Sequence, residues 1–506
     1  MIIRESRYPY RRPRRRRNRT ARLLLLLLVD ALGIYILYHL LYNPQTAMVL
    51  STPTPAPTPT RSAASYVAEA TDAYFGGVMP TALAAYQQAL ELDPAQPELY
   101  VAMGQILVYR GAPERALQLA RDALLYDPEY PPAWALLCVS YDWLGLPQDA
   151  IAFCEHAITL DPTYAEAYAY LAEAQIDAGN WFAANDTIAT ALQLDKDNVE
   201  VLRNYGYVYE VQGNYSAAIE AYRQALQRQP NLAHLYIAIG RNQHVLGNFT
   251  QAQESYTAAT EVDPTNLMAL ERAGLLHLLQ GDYGPAQVFF QKALEVDPTY
   301  SRALGRLGTL YFQRRNYEDA IPALESAIRY GEMESRRRAV FFVITEEPQG
   351  AALTAPTGRT VARGEFVFPE DARSPLRAML QGTTGQENVK GYLRLDPLDG
   401  RYMLSLQGAS PAAAGQTYIG WFQPLLAPGG DVIHTAPLRV EADGSVTASG
   451  ATGVVKGAPI ETYYTLSLCY YYLNRCEDAR PYIAVALRLD PQDANALQTQ
   501  RLCGGQ

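Results

Sequence analysis

Residues 131–164, PPAWALLCVSYDWLGLPQDAIAFCEHAITLDPTY, decide how the chain is read. Apolar side chains return every three or four residues before Gly145 and again after it. The stretch therefore predicts two short helices, each with one buried stripe, joined by a tight turn. Gly145 suits the turn because it has no Cβ to clash there, and Pro162 closes the segment where the next helix is to begin. Working outward at a step of 34, the closing motif recurs as ALELDP at Pro94, ALLYDP at Pro128, ALQRQP at Pro230, ATEVDP at Pro264 and ALEVDP at Pro298, with ALQLDK ending on Lys196. Gly111, Gly179, Gly213, Gly247 and Gly281 share the phase of Gly145. Ala82, Ala116, Ala150, Ala184, Ala218, Ala252, Ala286 and Ala320 hold a second phase, where a small side chain lets helices approach. Eight consecutive units thus open at Ala63, Pro97, Pro131, Ala165, Val199, Ala233, Leu267 and Ser301.

A period of 34 with two helices per unit, and Trp134, Leu137, Tyr141, Gly145, Ala150, Ala157 and Pro162 at recurring positions, resembles the tetratricopeptide repeat. The resemblance implies an α-solenoid whose first helices line a concave groove, where protein or peptide partners lie. At the groove-facing phases stand Tyr74, Gln105, Asp142, Glu173, Arg203, Asn204, Tyr207, Arg241, His244, Arg272, Arg302 and Arg306. Acidic residues come early and basic ones late, so a partner of opposite polarity would dock in one direction; the same charges also suit a solvated helix face. The Lys and Asn pattern with which some chaperone-binding members clamp a terminal carboxylate is absent, since Val67 and Thr71 stand where it would begin.

At the ninth step the count breaks in YGEMESRRRAVFFVITEE, residues 330–347, with Glu332 where a proline is due. The pattern returns in YYTLSLCYYYLNRCEDARPYIAVALRLDP, with Tyr463, Leu466, Tyr470, Ala479, Ala486 and Pro491 in phase. A ninth unit and a capping helix are therefore predicted over 460–506, with a domain inserted at a unit boundary, a place that tolerates insertion when the insert's two ends lie close together. Across that insert, 336–459, the runs AVFFVIT, GEFVFPE, GYLRLDP, RYMLSLQG, QTYIGWF, PLRVEA and SVTASG alternate, with Asp399-Gly400 and Asp443-Gly444 as hairpin cues, and predict a β-sandwich. GRYMLSLQGASPAAAGQTYIGWFQPL followed by LRVEADGSVTAS resembles the extracytoplasmic β-domain of anti-sigma-K factors. Those factors carry a folded sigma-binding domain on the cytoplasmic side, for which the 22 residues available here leave no room, so sigma regulation is not implied.

The chain of 506 residues carries a net charge of −10, unevenly spread: residues 1–22 hold ten arginines against one glutamate, leaving −19 for everything after them. LLLLLLVDALGIYILYHLLY, residues 23–42, approaches the ~20 apolar residues of a membrane-crossing helix. Its basic flank predicts an inward-facing tail on anionic lipid, a single span with Tyr35, Tyr38 and Tyr42 at the outer interface, and everything from Asn43 onward outside the cytoplasm. Nucleic acid is the other binder of arginine blocks, but beside such a run topology is the reading adopted and no nucleic acid is expected. The run is too long for the core of a cleaved signal peptide. Asp30 within it suits either a protonated or wetted carboxyl near a helix end or a functional one. Thr and Pro then alternate through 51–60, so 43–62 reads as a semi-rigid spacer.

His39, His156, His234, His244, His277 and His434 show no metal spacing, and no phosphate loop, GxSxG or HExxH occurs, so no enzyme, cofactor or metal is expected. Outside the cytoplasm cysteines pair. Cys476 and Cys503 are the disulfide candidates, with Cys469 competing for either; Cys138 and Cys154 read as buried thiols, a bridge between them being the alternative. The leading expectation is a single-pass scaffold at the cell membrane whose outward array binds protein partners. The alternatives are an envelope sensor whose β-insert takes a ligand, and a non-catalytic subunit of an envelope polysaccharide assembly.

Overall fold

The computed structural model describes residues 19–42 and 61–504, apart from 338–340, 351, 354, 369–374, 384–385, 398–399, 427–431, 453–454 and 456. The tail, most of the Thr/Pro spacer and Asp399 of one hairpin cue lie outside the described residues. Two units separate at Arg61. The first contains helix α1, Arg19–Tyr42. Its side chains described over 24–36 are exposed, and among the described residues no helix is long and apolar enough to cross a membrane.

The second unit begins with eight helix pairs. These are α2 Ala63–Phe75 with α3 Met79–Leu92, α4 Pro97–Tyr109 with α5 Pro113–Tyr126, α6 Pro131–Trp143 with α7 Pro147–Leu160, and α8 Ala165–Asp177 with α9 Trp181–Leu194. They continue as α10 Val199–Val211 with α11 Tyr215–Arg228, α12 Ala233–Val245 with α13 Phe249–Val262, α14 Leu267–Gln280 with α15 Tyr283–Val296, and α16 Ser301–Gln313 with α17 Tyr317–Arg337. Proline opens α4, α5, α6 and α7, where its missing N–H would be unpaired in any case. Gly145 between α6 and α7 takes φ +83°, and Arg315 and Asn474 take the same left-handed turn in units where the glycine is missing. The alanine phase from Ala82 to Ala320 is fully buried in every unit. A second small-residue phase sits in the first helices: a Cβ on Gly206, Gly240 or Gly274 would meet the ring of Tyr222, Tyr256 or Phe290 at 2.6, 2.7 and 2.6 Å. Ring into glycine notch is what seats each second helix on its first.

Strands occupy Phe341–Ala451, in the C-terminal third: β1 Phe341–Pro348, β2 Arg359–Val367, β3 Leu376–Gly382, β4 Lys390–Leu395, β5 Arg401–Gln407, β6 Gln416–Leu426, β7 Val432–His434 and β8 Val446–Ala451. The predicted sandwich is corrected here. All eight strands form one antiparallel sheet, in the order β7-β6-β1-β2-β3-β4-β5-β8, so among the described residues no second sheet faces it. Instead the sheet curls: Tyr402 on β5 and Phe422 on β6 have four strands between them in that order, yet their rings approach to 5.3 Å. The inward set, Phe342, Phe366, Leu376, Leu380, Leu393, Leu404 and Phe422, is thereby buried against itself, the requirement a sandwich would otherwise meet. LRAMLQG forms β3 and VIH forms β7, neither of them foreseen, whereas PLRVEA contributes only an isolated bridge from Leu438 to Tyr418.

The sheet shares its hydrophobic core with α4 to α8. Arg121 of α5 ties the two together, pairing with Glu365 at 2.6 Å and donating to the Phe366 carbonyl at 3.3 Å. Three helices follow the strands, α18 Ile460–Tyr472, α19 Cys476–Leu489 and α20 Ala494–Gly504. Tyr463 and Leu466 of α18 share an apolar cluster with Ala320 and Leu324 of α17, so α18 stacks beside the last repeat helix. The returning chain crosses α17 at Gly457 over Gly331, where a Cβ on either would strike backbone atoms at 2.2 and 2.6 Å.

Candidate functional site

The first helices α4, α6, α8, α10 and α12 carry their groove-phase residues to one side, and the array bends tightly enough for that side to meet itself. Tyr109 at the end of α4 donates its hydroxyl to Glu200 of α10 and stacks on His234 of α12, with ring centroids 4.1 Å apart. Its neighbour Arg110 forms an ion pair with Asp263 and donates to the Thr265 carbonyl at 3.2 Å. Asn231 donates to the Phe75 carbonyl at 2.8 Å. The first two units are thus clasped to the fifth and sixth. Tyr74 and Gln105 border this clasp, where only about 30 Å³ remains open.

Inside the clasp lies a larger cavity, about 360 Å³, and it collects Asp142, Glu173, Arg203, Tyr207 and Arg241 from the groove phases. Arg203 holds Glu173 with both prongs, at 2.5 and 2.8 Å, while its guanidinium lies over the rings of Tyr109 (4.9 Å) and Trp143 (5.7 Å). The Trp143 indole donates to the same carboxylate at 3.1 Å. Arg241 pairs with Glu210 at 2.7 Å. One turn further, Arg306 pairs with Glu271 at 3.1 Å. The acidic-to-basic gradient along the sequence therefore resolves, through much of its length, into pairs in which each unit's glutamate meets the next unit's arginine.

Two carboxyl groups escape this pairing. Asp142 is 4% exposed, lines the cavity, and neither of its oxygens has a hydrogen-bond partner among the described residues. Burial, Glu173 and Asp177 push it up to about 9, against the pull of Arg203. Asp177 stands exposed at the cavity's edge and accepts from the Tyr207 hydroxyl at 2.6 Å. Burial also pushes Glu200 up to about 7 and, together with Arg203, pushes His234 down to about 3, so His234 is neutral at physiological pH. Asn204 is buried beside Arg203 and accepts from it at 2.7 Å. His244, Arg272 and Arg302 stand outside the cavity; Arg302 borders a separate surface cleft with Asp297 and Glu334.

Tyr109, Trp143, Asp177 and His234 complete the site without having been singled out. A signal existed for three of them: Tyr109, Trp143 and Asp177 stand 34 residues apart, each closing a first helix. Cys138 is bonded to Cys154 and Cys476 to Cys503, while Cys469 is a buried free thiol pushed up to about 12 by burial. The Cys138 to Cys154 bridge corrects the reading of those two as thiols: packing phases on facing helices bring their Cα atoms to 5.3 Å. No group of metal-ligating side chains occurs among the described residues.

Models of the tetratricopeptide repeat match residues 76–111, 101–165, 144–204, 199–232, 237–301 and 277–339. No curated protein matches the chain. Among similar solved structures are the APC/C hetero-tetramer Cut9-Hcn1 (16% identity, 52% of this chain and 52% of that one, TM-score 0.41) and Pseudomonas aeruginosa pilF (21%, 40% and 92%, 0.34). A human IFIT1 dimer with PPP-AAAA is another (21%, 52% and 68%, 0.40). The chain spans about half the length of the first of these, 52%.

Proposed function

We propose, from the premise that the chain belongs to the tetratricopeptide-repeat proteins over residues 76–232 and 237–339, that it is a membrane-tethered scaffold binding a protein or peptide partner on the extracytoplasmic side. A repeat scaffold of this kind is suited to protein–protein interaction and is non-catalytic in itself. The observation that carries the binding reading is the cavity on the inner face of the array, walled by Tyr109, Trp143, Tyr207 and Tyr222 beside two arginines. Aromatic and arginine side chains in a partly desolvated hollow are the usual anchors of a protein interface. The tether is supported by the apolar run 23–42 behind its arginine flank, and the outward placement by the two disulfides.

The test is crosslinking in native membranes, followed by identification of what is attached and by the double change Tyr207→Ala and Arg302→Glu, both reachable side chains. Loss of the attached partner with unchanged melting supports the groove; retention at the wild-type level removes it. Protease added to sealed cells is expected to cut the repeats while sparing the arginine tail. A second reading assigns the sheet, carried between the eighth helix pair and the last, a ligand of its own. Its support is the outer face of β3 to β5, where Met379 is 73% exposed and Tyr392, directly opposite, 48%, with Met403 beside Arg394.

A further inference from the structure

The charges around the inner cavity do not balance. Glu173 is matched by Arg203 and Glu210 by Arg241, which occupies both cations that reach the space. Among the described residues Asp142 and Asp177 remain, the first buried with both oxygens unpartnered and the second hydrogen-bonded only to a neutral phenol. A buried carboxyl without a donor is costly, and its neighbours offer it none. The rest of the wall is apolar: Leu144, Ile237, Ala238 and Met268 face the same space. Methylene groups ending in a positive charge fit such a lining, with hydrocarbon against the apolar wall and the charge between two carboxylates. The volume, about 360 Å³, falls in the range of specific small-group pockets.

We propose that this cavity receives a basic side chain, lysine or arginine, from a polypeptide segment lying along the groove, with Asp142 at the floor and Asp177 at the mouth as its anionic partners. The proposal rests on the groove reading and adds to it what the groove selects. It also carries a proton. Asp142 is neutral in the free protein at pH 7, whereas a cation beside it favours the carboxylate, so binding releases a proton and tightens as pH rises, by up to tenfold per unit until Asp142 ionises unaided near 9. The charged and titratable groups facing Asp142 are Glu173 and Asp177 of α8 and Arg203 and Tyr207 of α10, with Tyr109 of α4, Tyr222 of α11 and Arg241 and His234 of α12 completing the wall. Glu200 ionises near 7, so the profile is to be read above that point.

The probes are Ac-Ala-Ala-Lys-Ala-Ala-NH2, its norleucine counterpart and n-butylamine, titrated calorimetrically into the full chain at low salt. The lysine peptide is expected to bind at least tenfold more tightly than the norleucine one. Asp142→Asn, nearly isosteric with the protonated acid, is expected to lose at least tenfold and the rise between pH 7.5 and 9, with no loss of thermal stability. Asp177→Asn, at an exposed position that folding does not need, is expected to lose several-fold. Equal binding of the two peptides, or full affinity in both variants, overturns the proposal. If n-butylamine binds in an Asp142-dependent manner while the lysine peptide does not, the occupant is a free amine and the polypeptide assignment fails. A crosslinked partner retained undiminished by Asp142→Asn overturns the slot while leaving the groove reading standing.

Discussion

The pair Arg203 and Glu173 illustrates what a groove charge does when its surroundings exclude water. Both side chains are nearly buried, at 11% and 5% exposure, and the guanidinium lies against two rings, so the pair is screened little. Arg203→Met leaves a buried carboxylate without its partner and is expected to cost ~3–5 kcal/mol in chemical denaturation, whereas adding Glu173→Gln recovers most of it. A double variant as unstable as the single one would show that packing over the rings, not charge, carries the site. Asp142 behaves in the opposite sense. Its native value is raised above its unfolded one, so the folded state holds a proton that the unfolded state has released, and stability falls as pH rises from about 4 towards 9. Above pH 7, Asp142→Asn is expected to flatten that fall, by on the order of 1 kcal/mol per pH unit, in melting curves recorded from pH 7 to 9. The repeat phase was enough to say that Asp142, Glu173 and Arg203 share a face. It could not say that two of them neutralise each other, because that depends on how far successive units rotate, and rotation leaves no mark on a period.

Among elements, the helix pairs were the most legible, since each needs only its own stripe, its glycine turn and its neighbour. The notch phase Gly206, Gly240, Gly274 recurs at the same step, and its meaning appears only when each ring is seen within it. Gly240→Ala puts a methyl group 2.7 Å from the Tyr256 ring and is expected to destabilise by ~1–3 kcal/mol, against a gain if helix propensity ruled; Gly111→Ala, with open space around it, separates that overpacking from the strain of a left-handed turn. The strands were legible one by one and not as a sheet. Alternation tells which side chains share a face, yet the partner of each face, a second sheet or the same sheet curled, is a long-range choice. LRAMLQG shows the local limit: its inward side chains include a small alanine and its outward ones a methionine 73% exposed, which blurs the alternation. The C-terminal helix α20 depends on one covalent tie. Breaking Cys476 to Cys503 with Cys503→Ser is expected to remove ~2–4 kcal/mol, and to raise amide exchange over 494–504 before that of α18.

For the molecule as a whole, the decisive contacts are those no local pattern encodes. Tyr109 meets Glu200 across 91 positions, Arg110 meets Asp263 across 153, and Asn231 meets Phe75 across 156. These clasp contacts border the cavity where Asp142 lies and seal His234, so closure and site are one property. Arg110 is the place to separate them. Its loss leaves Asp263, which is 1% exposed, with only the Thr265 amide and hydroxyl, at 3.1 and 2.9 Å, as donors among the described residues. In Arg110→Ala the fourth to seventh units keep their own cores, because their clusters are built within adjacent units, while the joint between the second unit and the sixth loosens. His234 reports the change. Held neutral by burial and by Arg203, it titrates near 3 in the closed form, and solvent entry is expected to return it towards 6.5, read from its imidazole proton signals between pH 5 and 8. The radius of gyration from small-angle scattering is expected to rise in the same variant, with helical content unchanged. A His234 that stays silent across that range, in a particle of unaltered size, would mean that apolar packing between Leu99, Met103, Leu232 and Leu235 closes the array without the arginine.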